Sequence, residues 1–277
     1  MLSRIGLLML LGLVCAQSAA AQVVRFETSV GDFDMVLNPT NSQFLEEHTA
    51  NMLAYVNDGR YTASWINRAD EGFVLQMGGF YSHTRRPPLT IDSTRPVTTF
   101  DPVVGFPTAI SGLSNTVGTV ALALPGDGMG GTDEDAGTSS FFVNLTSNTF
   151  LDTDFTVFAA IPDMTVINQI MALTQVDKTT DPLFGAGGGN LAYSDIPLTA
   201  NGHQVFIKRA FVIDDAMSVA RAMAGVESIM DSSAASFELS SSNGSGGENV
   251  VPEPASVAMA LLGLLGLFPL FSRTRRR

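Results

Sequence analysis

Apolar residues recur at every second position at Phe73, Leu75 and Met77 within Trp65–Gly79 (WINRADEGFVLQMGG), a period that fits a pleated strand. The alternation predicts a strand with Phe73 on one face and Val74 and Gln76 on the other, unless a bulge intervenes. Arg68 is placed in the polar turn before it. Further runs of strand length are VVRFET and DFDMVLN, hinged at Gly31, then GTVALAL, SFFVNL, FTVF and VFIKRAFVI. Phe44, His48, Met52, Tyr55 and Val56 follow helical spacing and are expected to lie against the sheet. Thr40 and Gln43 are spaced as a capping box at the start of that helix, and Gly59 is its stop. His48 reads as a packing residue rather than a ligand.

Both ends of the 277-residue chain read as processing segments, leaving one folded domain over residues 22–214. Residues 1–21 show Arg4, an apolar run from Ile5 to Ala16 and Ala19-Ala20-Ala21, the layout of a signal peptide with the mature chain starting at Gln22. The single cysteine, Cys15, lies in that run. A mature chain without a thiol excludes disulfides, thiolate metal sites and cysteine catalysis. The net charge is −12, and Arg4, Arg273, Arg275, Arg276 and Arg277 all lie in the terminal segments, so the body is more acidic still. Such a body repels phosphate backbones, and no nucleic acid partner is expected.

Residues 215–230 suit a helical extension, and residues 231–250 are rich in Ser and Gly, the composition of a flexible linker that is not expected to fold. Residues 251–277 begin with Val251-Pro252-Glu253-Pro254, continue as an apolar run over 255–271 and end in arginines. The run is long enough to span a bilayer as a transmembrane segment, with the arginines on the cytoplasmic side. This order resembles a PEP-CTERM sorting signal, which implies an exosortase-type processing enzyme and transient contact with the inner membrane of a bacterium. A plain tail anchor is the alternative. On either reading the domain works outside the cytoplasm, in the envelope, at the cell surface or in extracellular matrix.

Residues 80–117 are broken by Pro87-Pro88, Pro96, Pro102 and Pro107, residues 126–137 form an acidic loop, and residues 181–204 form a glycine-rich excursion. Asp127, Asp133, Glu134 and Asp135 fail the EF-hand spacing and read as a solvated loop. His83 and His203 lie in different loops, so neither a metal site nor a cofactor is expected.

Taken in order, INRADEGFVLQMGG, GTVALAL, SSFFVNL and FLDTDFTVF resemble the cyclophilin family, whose motifs run close to FHRVIPGFMIQGG, SQFFI and (W/F)LD…VFG. VRFETSVGDFDMVL near the start and IPDMTVINQIMAL late in the chain extend the likeness over most of residues 23–214. The resemblance implies a mainly β fold, a closed eight-stranded antiparallel β-barrel capped by two α-helices. It also implies peptidyl-prolyl cis-trans isomerase activity on proline-containing polypeptide clients. An X-Pro bond turns over slowly because amide resonance must be broken. A catalyst therefore needs a pocket for the ring, anchors for the backbone and a donor that favours the twisted amide.

By resemblance Arg68 is that donor, a role suited to a permanently charged planar fork. An ion pair with Asp70 or Glu71 is its competing role. Phe73 and Phe142 align with the floor and wall of the proline pocket, Val74, Phe150, Leu151 and Phe155 with its surroundings, and Gln76 and Ala123 with peptide contacts. Asn67, Glu71, Leu124, Ser140, Phe150 and Phe155 depart from the family's usual residues. Leu124 and Ser140 are expected to remove polar contacts to the peptide. A non-catalytic proline-peptide-binding module and a purely structural surface protein remain as alternatives to an isomerase.

Overall fold

The computed structural model describes residues 21–82, 94–103, 111–126, 131–182 and 191–243. Cys15, His83, Asp127, the apolar runs at both ends and the Val251–Pro254 motif lie outside these residues. Short polar turns force successive strands to pair with neighbours. β1 (Gln22–Thr28) pairs with β2 (Asp32–Leu37) across the expected hinge at Gly31. β3 (Ser64–Ala69) and β4 (Val74–Ser82) form the next hairpin, and β5 (Thr94–Pro96) adds to β4. β6 (Thr119–Leu122), β7 (Phe141–Asn144), β8 (Val157–Ala160) and β11 (Ile207–Ile213) complete the main sheet.

Its order, β11-β1-β2-β8-β6-β7-β4-β3, is antiparallel throughout. β3 curls back to the chain entering β11, where Ala63 N–H donates to Ile207 O (2.8 Å) and Ile66 N–H to Val205 O (2.9 Å). The fold is thus a mainly β, eight-stranded barrel whose last seam is held by isolated bonds rather than a full ladder.

Inward residues fill the barrel. Phe26 stacks on Phe33 (5.2 Å) and meets Tyr61 and Phe141 (5.5 Å each), while the buried Tyr61 hydroxyl donates to Ser139 O (3.0 Å). Gly78, at φ +84°, lies where a Cβ would come within 2.7 Å of Ser139 O, so β4 passes this cluster only as glycine. α1 (Glu46–Asn57) adds His48, Met52, Tyr55 and Val56 to the buried set, and α2 (Thr165–Met171) adds Ile167 and Ile170.

Three sequence expectations are corrected here. Ser42, not Thr40, accepts the capping bond from Phe44 N–H (3.3 Å), and a 3-10 turn over Gln43–Leu45 precedes α1. That tighter turn throws Phe44 out of helical phase, leaving it 44% exposed instead of against the barrel. Gly59 does end α1, at φ +65°.

The third correction concerns α3 (Ala216–Asn243), which runs through Met230 into the segment read as linker. Ala222 and Val226 pack on Val23, Val36 and Ala160. Ser232 and Ser236 fold their hydroxyls onto the carbonyls four residues earlier, and Ser233 donates to Ser114 O (2.6 Å). Tertiary contact on one face thereby overrides a composition that suits a coil.

β9 (Thr174–Val176) and β10 (Ile196–Leu198) form a small second sheet. The excursion around them packs Tyr193 on Trp65 (6.0 Å, near parallel) and on Phe80, giving a second core outside β3. No helix among the described residues is long and apolar enough to cross a membrane.

Candidate functional site

Register builds the site. Arg68 of β3 pairs with Gln76 of β4, Gln76 with Phe142 of β7, and Phe142 with Ala121 of β6. Directly opposed residues send their side chains to the same face, so the four form a lateral row across four strands. Ala123 shares the parity of Ala121 and ties to β7 through its N–H to Ser140 O (2.8 Å). Phe141 points inward to Phe26, so Phe142 and its row lie on the outer face of the barrel.

Arg68 is therefore on a strand and not in the polar turn expected from the sequence. The turn is shorter: Phe73 N–H donates to Asp70 O, Asp70 N–H to Val74 O, and Gly72 takes φ +72°. A register shift between Ile66 and Arg68 is the bulge that brings Arg68 opposite Gln76. The Arg68 side chain is only 1% exposed and pairs with Asp70, itself 27% exposed, at 2.5 Å. The competing role foreseen for Arg68, an ion pair with Asp70, is thus present, with the guanidinium enclosed and the carboxylate partly exposed. The guanidinium lies 5.4 Å from the Phe73 ring. Asp195 accepts Ala69 N–H on its backbone carbonyl. Burial pushes the Asp195 carboxyl up; its Ser194 bond opposes this, the Asp70 charge adds to it and Arg68 opposes it.

The Gln76 amide donates to Ser140 Oγ (3.2 Å), so serine keeps one polar contact at the position where the family's pattern has glutamine. Phe142 meets Phe155 edge-on at 5.6 Å, and Val74, Leu151 and Phe155 are fully buried with it. Phe73 is half-buried and stacks on Phe150 at 6.0 Å and 13°, and Phe150 is 46% exposed. These two rings form the apolar surface that faces water. Leu124 does not share the row: it is buried with inward-facing Leu122, and both pack against Gly137. The expectation that it strips a contact from the groove is corrected by that parity.

The sequence reading missed a buried amide network beneath these loops. Asn148 Nδ2 donates to Phe73 O (3.1 Å) and Asn144 Oδ1 (2.8 Å). Asn144 Nδ2 donates to Asn115 Oδ1 and Thr119 Oγ1, each at 3.0 Å. Asn115 Nδ2 donates to Asp152 Oδ1 (2.9 Å) and Phe155 O (3.0 Å). One chain of bonds thus fixes the Phe73 turn to the loop carrying Leu151 and Phe155. The Asn144/Asn148 spacing and Asn115 were visible, but three separated asparagines do not announce a shared network. Asp133, Glu134 and Asp135 sit on a 3-10 turn, with the Glu134 carboxyl raised by burial and by Asp154, and no cluster of metal-ligating residues occurs among the described residues.

A family model described as cyclophilin type peptidyl-prolyl cis-trans isomerase/CLD matches residues 23–184. Peptidyl-prolyl cis-trans isomerase A of Dickeya dadantii is 32% identical over 129 residues, 47% of this chain and 57% of that protein. The chain thus spans little more than half of that relative. Peptidyl-prolyl cis-trans isomerase of Acinetobacter baylyi is 27% identical over 176 residues, 61% of this chain and 82% of its own. A crystal structure of a cyclophilin type isomerase from Cryptosporidium parvum aligns at TM-score 0.47 and 19% identity, covering 70% of this chain and 99% of that one.

Proposed function

The chain belongs to the cyclophilin-type peptidyl-prolyl cis-trans isomerase family, and from that premise we propose that it catalyses X-Pro isomerisation in polypeptide clients outside the cytoplasm. The observation that supports this best is the row Arg68–Gln76–Phe142, which holds a cation, an amide and an aromatic ring side by side on adjacent strands. The chemistry needs no covalent step. As the prolyl amide twists, its nitrogen gains a lone pair that accepts a hydrogen bond, and a fixed guanidinium donor stabilises the twisted form more than the planar one. Gln76 suits the client backbone, and Phe73, Phe142, Val74, Leu151, Phe150 and Phe155 suit the ring and its neighbours.

A folding reaction limited by X-Pro isomerisation tests the proposal. The purified chain should accelerate it, and Arg68→Ala should cut the acceleration by about a hundredfold, the scale of losing one transition-state donor. Binding of proline peptides without acceleration would instead favour the non-catalytic module. One feature supports that second reading: the Arg68 guanidinium is enclosed and held by Asp70.

For location, the tripartite leader and the PEP-CTERM-like tail support export, inner-membrane anchoring and processing by an exosortase-type enzyme. Fractionation of the producing bacterium, with terminal sequencing of the recovered chain, checks this. A chain that begins at Met1 and stays in the cytoplasm would reject it.

A further inference from the structure

The Phe73–Phe150 surface has a ligand built into the same polypeptide: we infer that it receives the chain's own proline segment, Val251–Pro254, as an intramolecular occupant that competes with clients. The inference rests on reading the groove as a proline-binding site. Its first support is the surface itself, two nearly parallel rings with Phe150 46% exposed, while Val74, Phe142, Leu151 and Phe155 lie beneath. Flat aromatic faces are what proline-rich segments dock on.

The course of α3 is the second support. The helix leaves β11, crosses β1 and β2, places Ile229 over Gly118 and bonds Ser233 to Ser114. It also packs beside the Thr149–Leu151 turn, which carries Phe150.

Length is the third. From Ser233 to Asn243 the helix rises about 15 Å. From Asn243 to Val251 the chain is Gly-Ser-Gly-Gly-Glu-Asn-Val, about eight steps, which reach at most about 28 Å when extended. That reach exceeds the roughly 15 Å of helix back to Ser233, so the segment can return toward the turn that carries Phe150, and a tether that spans its sites holds its cargo at about millimolar effective concentration. A weakly binding prolyl segment is then occupied without any added ligand. Val251-Pro252 and Glu253-Pro254 present two X-Pro bonds there, and removal of the tail would free the groove for clients.

The full chain in detergent micelles is compared with the same chain carrying Pro252→Ala and Pro254→Ala. Two readouts are taken: the ring resonances of Phe73 and Phe150, and kcat and KM for a proline tetrapeptide. Docking predicts shifted ring resonances in the wild-type chain relative to the variant, with KM roughly three- to tenfold higher and kcat unchanged. Superimposable ring resonances with equal KM would overturn the inference. If neither chain turns over the tetrapeptide, the isomerase reading fails, while the ring resonances still decide whether the segment docks.

Discussion

A guanidinium acts on a twisting amide through its donors and its charge, and at Arg68 both meet Asp70 at 2.5 Å. A carboxylate this close offsets part of the field that the prolyl nitrogen would feel. Asp70→Asn keeps the shape and removes the charge, so kcat should rise on the order of tenfold with KM little changed. The Arg68→Ala/Asp70→Asn double variant should be no faster than Arg68→Ala; a gain without Arg68 would refute the coupling. His48 gives a second prediction. It is 2% exposed, packs on Phe158 at 5.9 Å, and burial lowers its pKa to about 4. The unfolded chain, near the usual 6.5, then binds the extra proton between these values. This stabilising contribution is complete above pH 6.5 and is lost as pH falls toward 4, amounting to about 3 kcal/mol. Urea unfolding at pH 7 and 4 should show a smaller loss of stability in His48→Leu than in the wild type, since the carboxylates whose pKa is lowered keep their own share of the slope; an equal loss in both would refute the role of His48.

At the scale of elements, α3 is part of the folded body. Gly225 lets it approach the chain after β8, since a Cβ there would lie 2.7 Å from Pro162 Cβ. Gly225→Val should force the helix outward and cost about 1–3 kcal/mol, the usual range for overpacking. Limited proteolysis should then cut within 216–243 while the barrel resists; unchanged protection would mean that the contact is soft. The consequence reaches the groove, because Ser233 holds Ser114 and the adjacent Asn115 holds the Asp152–Phe155 loop. The hairpin of β3 and β4 acts similarly: its bulge and the tight Asp70–Phe73 turn set which residue faces Gln76. A one-residue slip there would send Arg68 to the other face.

For the molecule as a whole, the seam between β3 and β11 is the weakest part of the barrel in backbone bonding. β1 meets β11 over a full antiparallel ladder, whereas Ala63 and Ile66 supply isolated bonds across the seam. Amide exchange at Ala63 and Ile66 should precede exchange in β1 and β7, through openings smaller than global unfolding. Equal protection would show that the Trp65–Tyr193–Phe80 core outside β3 locks the seam. What the chain's own residues specified directly were the local and periodic features: the strands, the Gly31 hinge, the Gly59 stop, and the order of motifs that identifies the family. These depend on neighbours a few residues away, which a linear reading contains. Only the folded structure decided the rest. NRADEG reads as one polar turn until pairing with β4 draws Arg68 into a strand. Phe44 looks helical until a 3-10 turn rotates it out. The serine-rich stretch after Met230 looks like linker until Ser114 and the barrel wall supply its contacts. For Arg68 and the serine-rich stretch the deciding partner lies on another element, which only the folded sheet brings within reach; for Phe44 the choice between a 3-10 turn and an α-turn is local, and periodicity alone does not distinguish them.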